Sequence, residues 1–326
     1  MRLLRLRSAW GLPGLAKGDR SGLFASLKAR GWDGVEASLD DIGATHDARA
    51  ECCAAASAQG LSLVISAYSS WANYEGPFDA ALTVRGHADA FAAQLAQIAA
   101  LHTGGGHSPI RRVNAHSGSD AWSEAEARDY FEASVGAAHA CGEDLPPVSH
   151  ETHRGRYLCC PFATARLLES VPTLRLTSDF SHWIVKSERL LDSPEEEALL
   201  TSVIAPAVDH VHARIGTPQS PQVADVRSRA TAHAAERHYE WWEAVWSARE
   251  AASLSGRDAT LSATIEYGPV EVREEDGAYV GYTPVGLDLE PVAGVGHEET
   301  LQEARDALDA RFERWHADGA RRRGGW

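Results

Sequence analysis

The sequence predicts an α/β protein built as a (β/α)8 TIM barrel, because short apolar segments alternate with helical segments eight times along its 326 residues. An open, doubly wound sheet usually needs fewer strands. Such a sheet also carries a Gly-x-Gly-x-x-Gly fingerprint after its first strand, and none follows the first predicted strand here. We therefore expect residues 1–326 to form a single barrel domain with long loops at the C-terminal face.

Each predicted strand is a short apolar run bounded by residues that favour turns. In chain order these strands are 3–10, 32–39, 61–67, 110–116, 147–152, 174–179, 210–215 and 261–267. The segments between them have apolar residues at helical spacing, as at Leu23 and Leu27, and some end at a glycine such as Gly31 or Gly60. The predicted helices are 19–30, 44–58, 79–101, 124–141, 162–171, 195–208, 223–254 and 298–316.

Two connections differ from the others. Residues 268–297 follow the eighth predicted strand and show little periodicity, and residues 217–222 (Thr-Pro-Gln-Ser-Pro-Gln) follow the seventh. Long irregular segments in compact domains are usually functional or disordered. Because both segments follow strands, we expect both to lie at the C-terminal face of the barrel, where TIM-barrel active sites are found.

The composition is that of a globular protein, with 44% hydrophobic and 24% charged residues. A formal net charge of −15 argues against nucleic-acid binding, which needs a clustered basic surface. No segment has the roughly 18 consecutive apolar residues of a membrane span. The N-terminus lacks the apolar core of a signal peptide, and the five cysteines show no Cys-x-x-Cys spacing. We therefore expect a cytoplasmic protein with reduced thiols.

Acidic residues and histidines gather at the ends of the last four predicted strands. Four short segments carry them: Ser149-His150-Glu151-Thr152-His153-Arg154-Gly155-Arg156, Asp179-Phe180-Ser181-His182, His210-Val211-His212-Ala213-Arg214 and Thr264-Ile265-Glu266-Tyr267. The strand ends of a barrel converge on one mouth, so three carboxylates would meet there and repel one another. A divalent metal ion removes that repulsion. Oxygen ligands with one imidazole suit Mn²⁺, Mg²⁺ or Co²⁺ better than structural zinc.

These segments resemble the xylose-isomerase-like barrel superfamily, which includes ketose 3-epimerases, hydroxypyruvate isomerases, inosose dehydratases and endonuclease IV. The resemblance in architecture covers the whole chain, and its specific part lies in the four strand-end segments. The sequence is also similar to a less characterised group of sugar phosphate isomerases and epimerases. It does not contain the full set of histidines and carboxylates that endonuclease IV needs for its zinc ions.

The resemblance implies one divalent metal ion, Mn²⁺, Mg²⁺, Co²⁺ or Zn²⁺, held by Glu151, Asp179, His212 and Glu266. His212 is preferred because the family usually uses the second histidine of His-x-His, but His210 stays open as the alternative. The implied substrate is a sugar, a sugar phosphate or a related keto-acid. Its carbonyl and adjacent hydroxyl would bind the ion, which would stabilise an enediolate during isomerisation or epimerisation.

The same resemblance assigns roles in proton transfer and substrate binding. Glu266 is the first candidate for the base and Glu151 the second, since the ligand glutamates of epimerases also act as acid and base. His182 would steady a substrate hydroxyl, and Arg214 would contact the substrate. In the epimerases, however, the basic residue lies farther beyond the histidine than Arg214 does here.

Four further residues are candidates for substrate contacts at the mouth of the barrel. Glu36 on the second predicted strand, and His116 close to Asn114 on the fourth, are expected to line it. His153 and Arg154 are expected to bind a phosphate or carboxylate, because guanidinium groups suit such oxyanions. The alternative for His153 and Arg154 is a structural salt-bridge network at the rim of the barrel.

Each strand-end residue also has an ordinary structural interpretation. Glu151 or Glu266 could pair with a cation, Asp179 could cap the turn after its strand, and the two histidines could be buried and hydrogen-bonded. Two other functions stay open as well. One is a lyase, such as a keto-inositol dehydratase or a C-glycoside-cleaving enzyme, and the other is a non-catalytic sugar-binding barrel. A homodimer or homotetramer is an expectation from the family.

Overall fold

Eight parallel strands form a closed barrel in which each strand pairs with its sequence neighbours and the first pairs with the eighth. The computed structural model describes residues 1–75, 77–102, 108–272 and 277–324, without the side chains of 320–324. The strands are β1 (Arg2–Ser8), β2 (Gly34–Ser38), β3 (Ser62–Tyr68), β4 (Ile110–His116), β5 (Val148–Glu151), β6 (Leu176–Ser178), β7 (Val208–His212) and β8 (Thr260–Ile265). The predicted (β/α)8 TIM barrel is therefore confirmed.

Helices connect the strands around the outside of the barrel. They are α1 (Arg20–Ala29), α2 (Leu39–Ile42), α3 (His46–Ala58), α4 (Val84–Leu101), α5 (Glu124–Ala140), α6 (Pro161–Ser170), α7 (Phe180–Ser187), α8 (Pro194–Leu199), α9 (Ala232–Ser253) and α10 (His297–Gly324). Among the helices that the structure describes, none combines the length and the apolar character needed to cross a membrane.

Local signals in the sequence determine where several helices begin. Ser123 and Glu126 form a reciprocal capping box at the start of α5, and Thr45 Oγ1 accepts a hydrogen bond from Ala48 N at the start of α3. Inward-facing apolar residues such as Phe91 of α4 are fully buried against the strands. This packing fixes the position of each strand, and therefore the position of the side chains at its C-terminal end.

Several helical predictions differ from the structure: α4 begins at Val84 and not at residue 79, α10 extends beyond residue 316, and α2 was not predicted. The eight residues of α7 were not predicted, because this short aromatic segment follows directly on a strand. The predicted helix 195–208 is divided into α8, a π-helical turn (Leu200–Ile204) and a 3₁₀ turn (Ala205–Ala207), and Pro206 within the last has no N–H to donate. The predicted helix 223–254 begins only at Ala232. None of these differences moves the strand ends that carry the candidate site.

The predicted irregular segment 268–297 lies at the C-terminal face, as expected, although residues 273–276 are outside the described part of the chain. The predicted loop 217–222 fastens it through Gln222. Gln222 Nε2 donates to Gly268 O at 3.2 Å and to Thr283 Oγ1 at 3.0 Å, and Gly268 N donates back to Gln222 Oε1 at 2.8 Å. The two long connections therefore support each other beside the mouth of the barrel.

Candidate metal centre and cavity

Four side chains from the ends of successive strands converge at the mouth of the barrel. Glu151 closes β5, Asp179 follows β6, His212 closes β7 and Glu266 follows β8. One ligand atom from each of them lies within 4.8 Å of the other three. These are the four residues that the sequence assigned to a metal ion. Their arrangement has the spacing expected of ligands around one small cation.

Three atoms of this group are buried without a hydrogen-bond partner among the described residues: Glu151 Oε1, His212 Nδ1 and Glu266 Oε2. His212 Nδ1 lies 3.5 Å from the glutamate oxygen of β5 and 3.1 Å from that of Glu266. A buried polar atom that makes no hydrogen bond is costly, so such atoms need a partner in the native state. A cation bound between the three atoms would satisfy all of them at once.

The two carboxylate oxygens of Asp179 have different partners. Oδ1 accepts hydrogen bonds from Ser181 N at 2.9 Å and from Ser181 Oγ at 2.6 Å, so it caps α7. Oδ2 faces the cluster and accepts a hydrogen bond from an Arg214 nitrogen at 2.5 Å. The same guanidinium nitrogen lies 3.4 Å from Glu266 Oε2. The capping interpretation of Asp179 is therefore correct for one oxygen, and the second oxygen remains directed at the site.

The three carboxylates titrate differently because their surroundings differ. Burial raises the pKa of Glu151 and that of Asp179. At Glu266 burial also favours the neutral form, but the neighbouring Arg214 and His212 outweigh it and lower the pKa to about 2. Burial alone would lower the pKa of His212, yet the surrounding carboxylates raise it well above the usual range. The site therefore attracts positive charge strongly.

The two histidines of the His-x-His segment have different surroundings. His210 Nδ1 lies 2.6 Å from Ser262 Oγ, and its Nε2 lies 3.0 Å from both Glu36 and Thr264, so both ring nitrogens have partners. His212 directs Nε2 at Glu36, and its Nδ1 makes no hydrogen bond among the described residues but faces Glu151 and Glu266. The geometry thus favours His212 as the ligand.

A cavity of about 430 Å³ opens above this group. Its floor is polar and includes Glu36, His116, His212, Arg214 and Glu266. Loops beyond β1 and β3 and the segment 268–297 form the outer wall, to which Trp10, Asn73, Tyr74, Val280 and Tyr282 contribute. The cavity has the size of an ordinary small-molecule site, with a charged base and an aromatic rim.

Comparison with known proteins supports the fold through solved structures but gives no match at the level of sequence. No protein-family model matches the chain, and no curated protein sequence matches it. Solved structures do match. An L-ribulose 3-epimerase is 14% identical, with a TM-score of 0.59 over 98% of this chain and 97% of that one. A D-psicose 3-epimerase from Clostridium cellulolyticum H10 is 14% identical, with a TM-score of 0.58 over 96% and 99%.

A 3-keto-D-glucoside 4-epimerase from E. coli is 12% identical, with a TM-score of 0.54 over 95% of this chain and 100% of that one. These three matched structures are all sugar epimerases by their descriptions. At these identities the comparison establishes the fold alone. Which residues carry chemistry in this chain has to be judged from their own geometry.

The predicted substrate-contact residues lie around the cluster at different depths. His116 borders the cavity with Nδ1 3.1 Å from Glu151 Oε2. His153 also borders it, and its ring lies 3.8 Å from that of His182. His182 itself is fully buried behind the cavity wall and accepts a hydrogen bond at 2.9 Å from Arg214. Arg154 is partly exposed beside the ring of Tyr282.

The aromatic rim was not predicted from the sequence. Tyr74 OH is 2.9 Å from His116 Nδ1, and Trp10 packs edge-on against Tyr282 at 5.2 Å. Tyr282 also lies under the guanidinium groups of Arg154 and Arg214, at 4.8 and 5.3 Å. Trp10 had a usable signal, because it follows the end of the first strand. The two tyrosines lie within loops, where no periodicity marks which side chains turn inward.

Proposed function

We propose that this protein is a divalent-metal-dependent isomerase or epimerase acting on a sugar, a sugar phosphate or a related keto-acid. The observation that carries the proposal is the four-residue group at the mouth of the barrel. Glu151, His212 and Glu266 each have a buried ligand atom that makes no hydrogen bond among the described residues, and these atoms and one from Asp179 lie within 4.8 Å of one another. The similarity of fold to sugar epimerases is consistent with this proposal.

The residues fit a divalent ion in charge as well as in spacing. Three carboxylates and Arg214 leave the group with two excess negative charges, which one divalent cation balances when His212 is neutral. Oxygen-rich ligation of this kind suits Mn²⁺, Mg²⁺ or Co²⁺, and Zn²⁺ is also compatible with it. When bound there, the ion would act as a Lewis acid that polarises a substrate carbonyl.

Glu266 is the best-placed base. Its side chain is 17% exposed and borders the cavity, whereas those of Glu151 and Asp179 are fully buried. Its position places a carboxylate beside the space that a substrate would occupy, which is the first requirement for a base. Glu151 is the second candidate for the base from the sequence, but its side chain is fully buried and does not line the cavity.

Arg214 and His182 support the four candidate ligands through hydrogen bonds and charge. Arg214 is fixed between Asp179 and Glu266, so it orients both carboxylates and also borders the cavity where a substrate oxygen would lie. His182 holds the same guanidinium at 2.9 Å and has no exposed surface in the structure. We therefore expect Arg214 to contact the substrate directly and His182 to act mainly through Arg214.

Turnover of keto-sugars by the metal-loaded enzyme tests the proposal, with product mass as the readout. An isomer or epimer has the mass of its substrate, whereas the dehydratase alternative would release water. Glu266→Gln should abolish turnover while the far-UV CD spectrum stays native. Glu196→Gln is the matched control, because Glu196 is a buried helix-capping glutamate outside the cavity. Full activity in Glu266→Gln would remove Glu266 from the proposed chemistry.

The cellular setting of the enzyme also remains a proposal. A cytoplasmic location and a homodimer or homotetramer are expected from the sequence and from its resemblance to the family. Size-exclusion chromatography with light scattering would measure the assembly state directly.

A further inference from the structure

We propose that Glu36 is a positioning residue for the metal centre, which orients His212 directly and Glu151 through Asn114. This inference rests on the proposed metal site and extends it to a residue that contacts the candidate ligands without being one of them. Glu36 lies on β2, across the barrel from the ligand strands, and its side chain is 5% exposed. The sequence suggested a substrate contact for it, but its hydrogen bonds lead to the ligands.

Both oxygens of Glu36 are occupied by protein donors. Oε1 lies 3.1 Å from His212 Nε2, 2.8 Å from Asn114 Nδ2 and 3.3 Å from Ser66 Oγ. Oε2 lies 3.1 Å from His212 Nε2 and 3.0 Å from His210 Nε2, and it accepts a hydrogen bond from a threonine of β8. A carboxylate so fully paired has little capacity left for a substrate hydroxyl.

The first consequence concerns which nitrogen of His212 faces the metal. Ionised Glu36 can only accept, so His212 donates its Nε2–H to Glu36. Nδ1 is then the ring nitrogen that faces the glutamate oxygens at the ends of β5 and β8, at 3.5 and 3.1 Å, and a metal ion would take the place of a proton there. A metal-binding histidine commonly donates its other N–H to a carboxylate, which fixes the ring and increases its basicity.

The second consequence concerns Glu151. The amide nitrogen of Asn114 donates to Glu36 Oε1 at 2.8 Å and to Glu151 Oε2 at 2.9 Å. An amide group has two N–H bonds, and these two carboxylate contacts are its shortest; His212 Nε2 and His116 Nε2 lie farther away, at 3.4 and 3.5 Å. With Oε2 held in this way, Oε1 of Glu151 is the oxygen left unpaired toward the metal group. Glu36 therefore supports two of the four ligands.

The network also explains the first histidine of the His-x-His segment. His210 lies 3.0 Å from Glu36 through Nε2 and 2.6 Å from Ser262 through Nδ1. It thus ties Glu36 to β7 and β8, which are regular strands of the barrel. A second ion between Glu36, His210 and His212 is disfavoured, because both nitrogens of His210 and both oxygens of Glu36 already have partners.

Metal affinity of the apo-protein tests this role, measured by isothermal titration with Mn²⁺ and with Co²⁺. Glu36→Gln keeps the shape of the side chain but weakens the acceptor for His212. We expect a loss of affinity of about 10- to 100-fold, the range typical of altered outer-shell partners. Glu75→Gln is the matched control, because Glu75 borders the same cavity without a hydrogen bond to the four ligands in the described part of the chain. Its metal affinity should stay within about twofold of the wild type.

A second readout and a second variant keep the test decisive. The visible absorption of bound Co²⁺ reports ligand geometry, and it should change in Glu36→Gln but not in the control. If Glu36→Gln does not fold, Thr264→Val is the substitute variant, because it removes one hydrogen-bond donor to Glu36. We expect this variant to lose about threefold in metal affinity. Unchanged affinity and Co²⁺ spectrum in a folded Glu36→Gln would overturn this inference alone. Absence of metal binding by the wild type would overturn the proposed function and this inference together.

Discussion

Replacement of Asp209 tests whether the opposite end of the barrel serves stability. Asp209 lies near the start of β7, and its carboxylate is 7% exposed. Four guanidinium groups contact it, from Arg112, Arg175, Arg249 and Arg257. Burial favours the neutral acid, but these hydrogen bonds and charges outweigh it and lower the pKa from 3.8 to about 2. The charged form is therefore stabilised by folding.

The pKa shift gives the size of the effect. A shift from 3.8 to about 2 corresponds to about 2.5 kcal/mol of stabilisation at pH 7. Because the folded-state pKa is the lower one, this contribution is complete above the unfolded value and is lost as the pH falls through about 2. It should be about 1.3 kcal/mol at pH 3. Asp209→Asn should lose at least this stabilisation, and repulsion among the unpaired arginines adds to the loss.

Urea unfolding followed by CD at pH 7 and at lower pH measures the difference between Asp209→Asn and the wild type. Asp225→Asn is the matched control, since Asp225 pairs with Arg227 at the surface and should contribute less than about 1 kcal/mol. The destabilisation by Asp209→Asn should shrink as the pH falls. A destabilisation below about 1 kcal/mol, or one that does not depend on pH, would refute this account of the arginine cluster.

Two further predictions concern the rim and the thiols. Tyr282→Ala should raise KM by about tenfold with little change in kcat, because the ring contributes to the cavity wall and not to proton transfer; a fall in kcat at constant KM would contradict this. Burial raises the pKa of Cys52 to about 12 and that of Cys53 to about 11. Neither thiol should react with a thiol reagent at pH 8 until the protein unfolds, and rapid native labelling of either would contradict the packing of α3.

The order of the barrel could be predicted because each strand is a short apolar run between helical segments. The boundaries were less predictable where residues serve two elements. Asp179 directly follows β6 and is also the N-cap of α7. Because no loop separates the strand from the helix, the sequence carries no signal for where α7 begins. The predicted helix before β7 ends at Leu199 and is followed by π-helical and 3₁₀ turns, and Pro206 in the last turn has no N–H to donate.

The four strand-end ligands could be predicted because a barrel brings the C-terminal ends of its strands together. What the sequence could not show is how each side chain divides its contacts. Glu36 was expected to meet the substrate, yet its oxygens are paired within the barrel. His182 was expected to steady a substrate hydroxyl, yet it is fully buried and contacts Arg214. The hydrogen-bond partners of these side chains depend on distances between strands that are far apart in the chain. Sequence periodicity carries no information about those distances.

The metal content of the purified protein tests the central claim most directly, measured by elemental analysis beside an Asp179→Asn variant. Asparagine is also a good helix cap, so this variant should keep α7 and the fold. We expect about one divalent ion per chain in the wild type and its loss in the variant, whose site has lost a carboxylate. No metal in either protein, even after incubation with Mn²⁺, Co²⁺, Mg²⁺ or Zn²⁺ salts, would contradict the proposed metal centre and leave the carboxylates as a structural network.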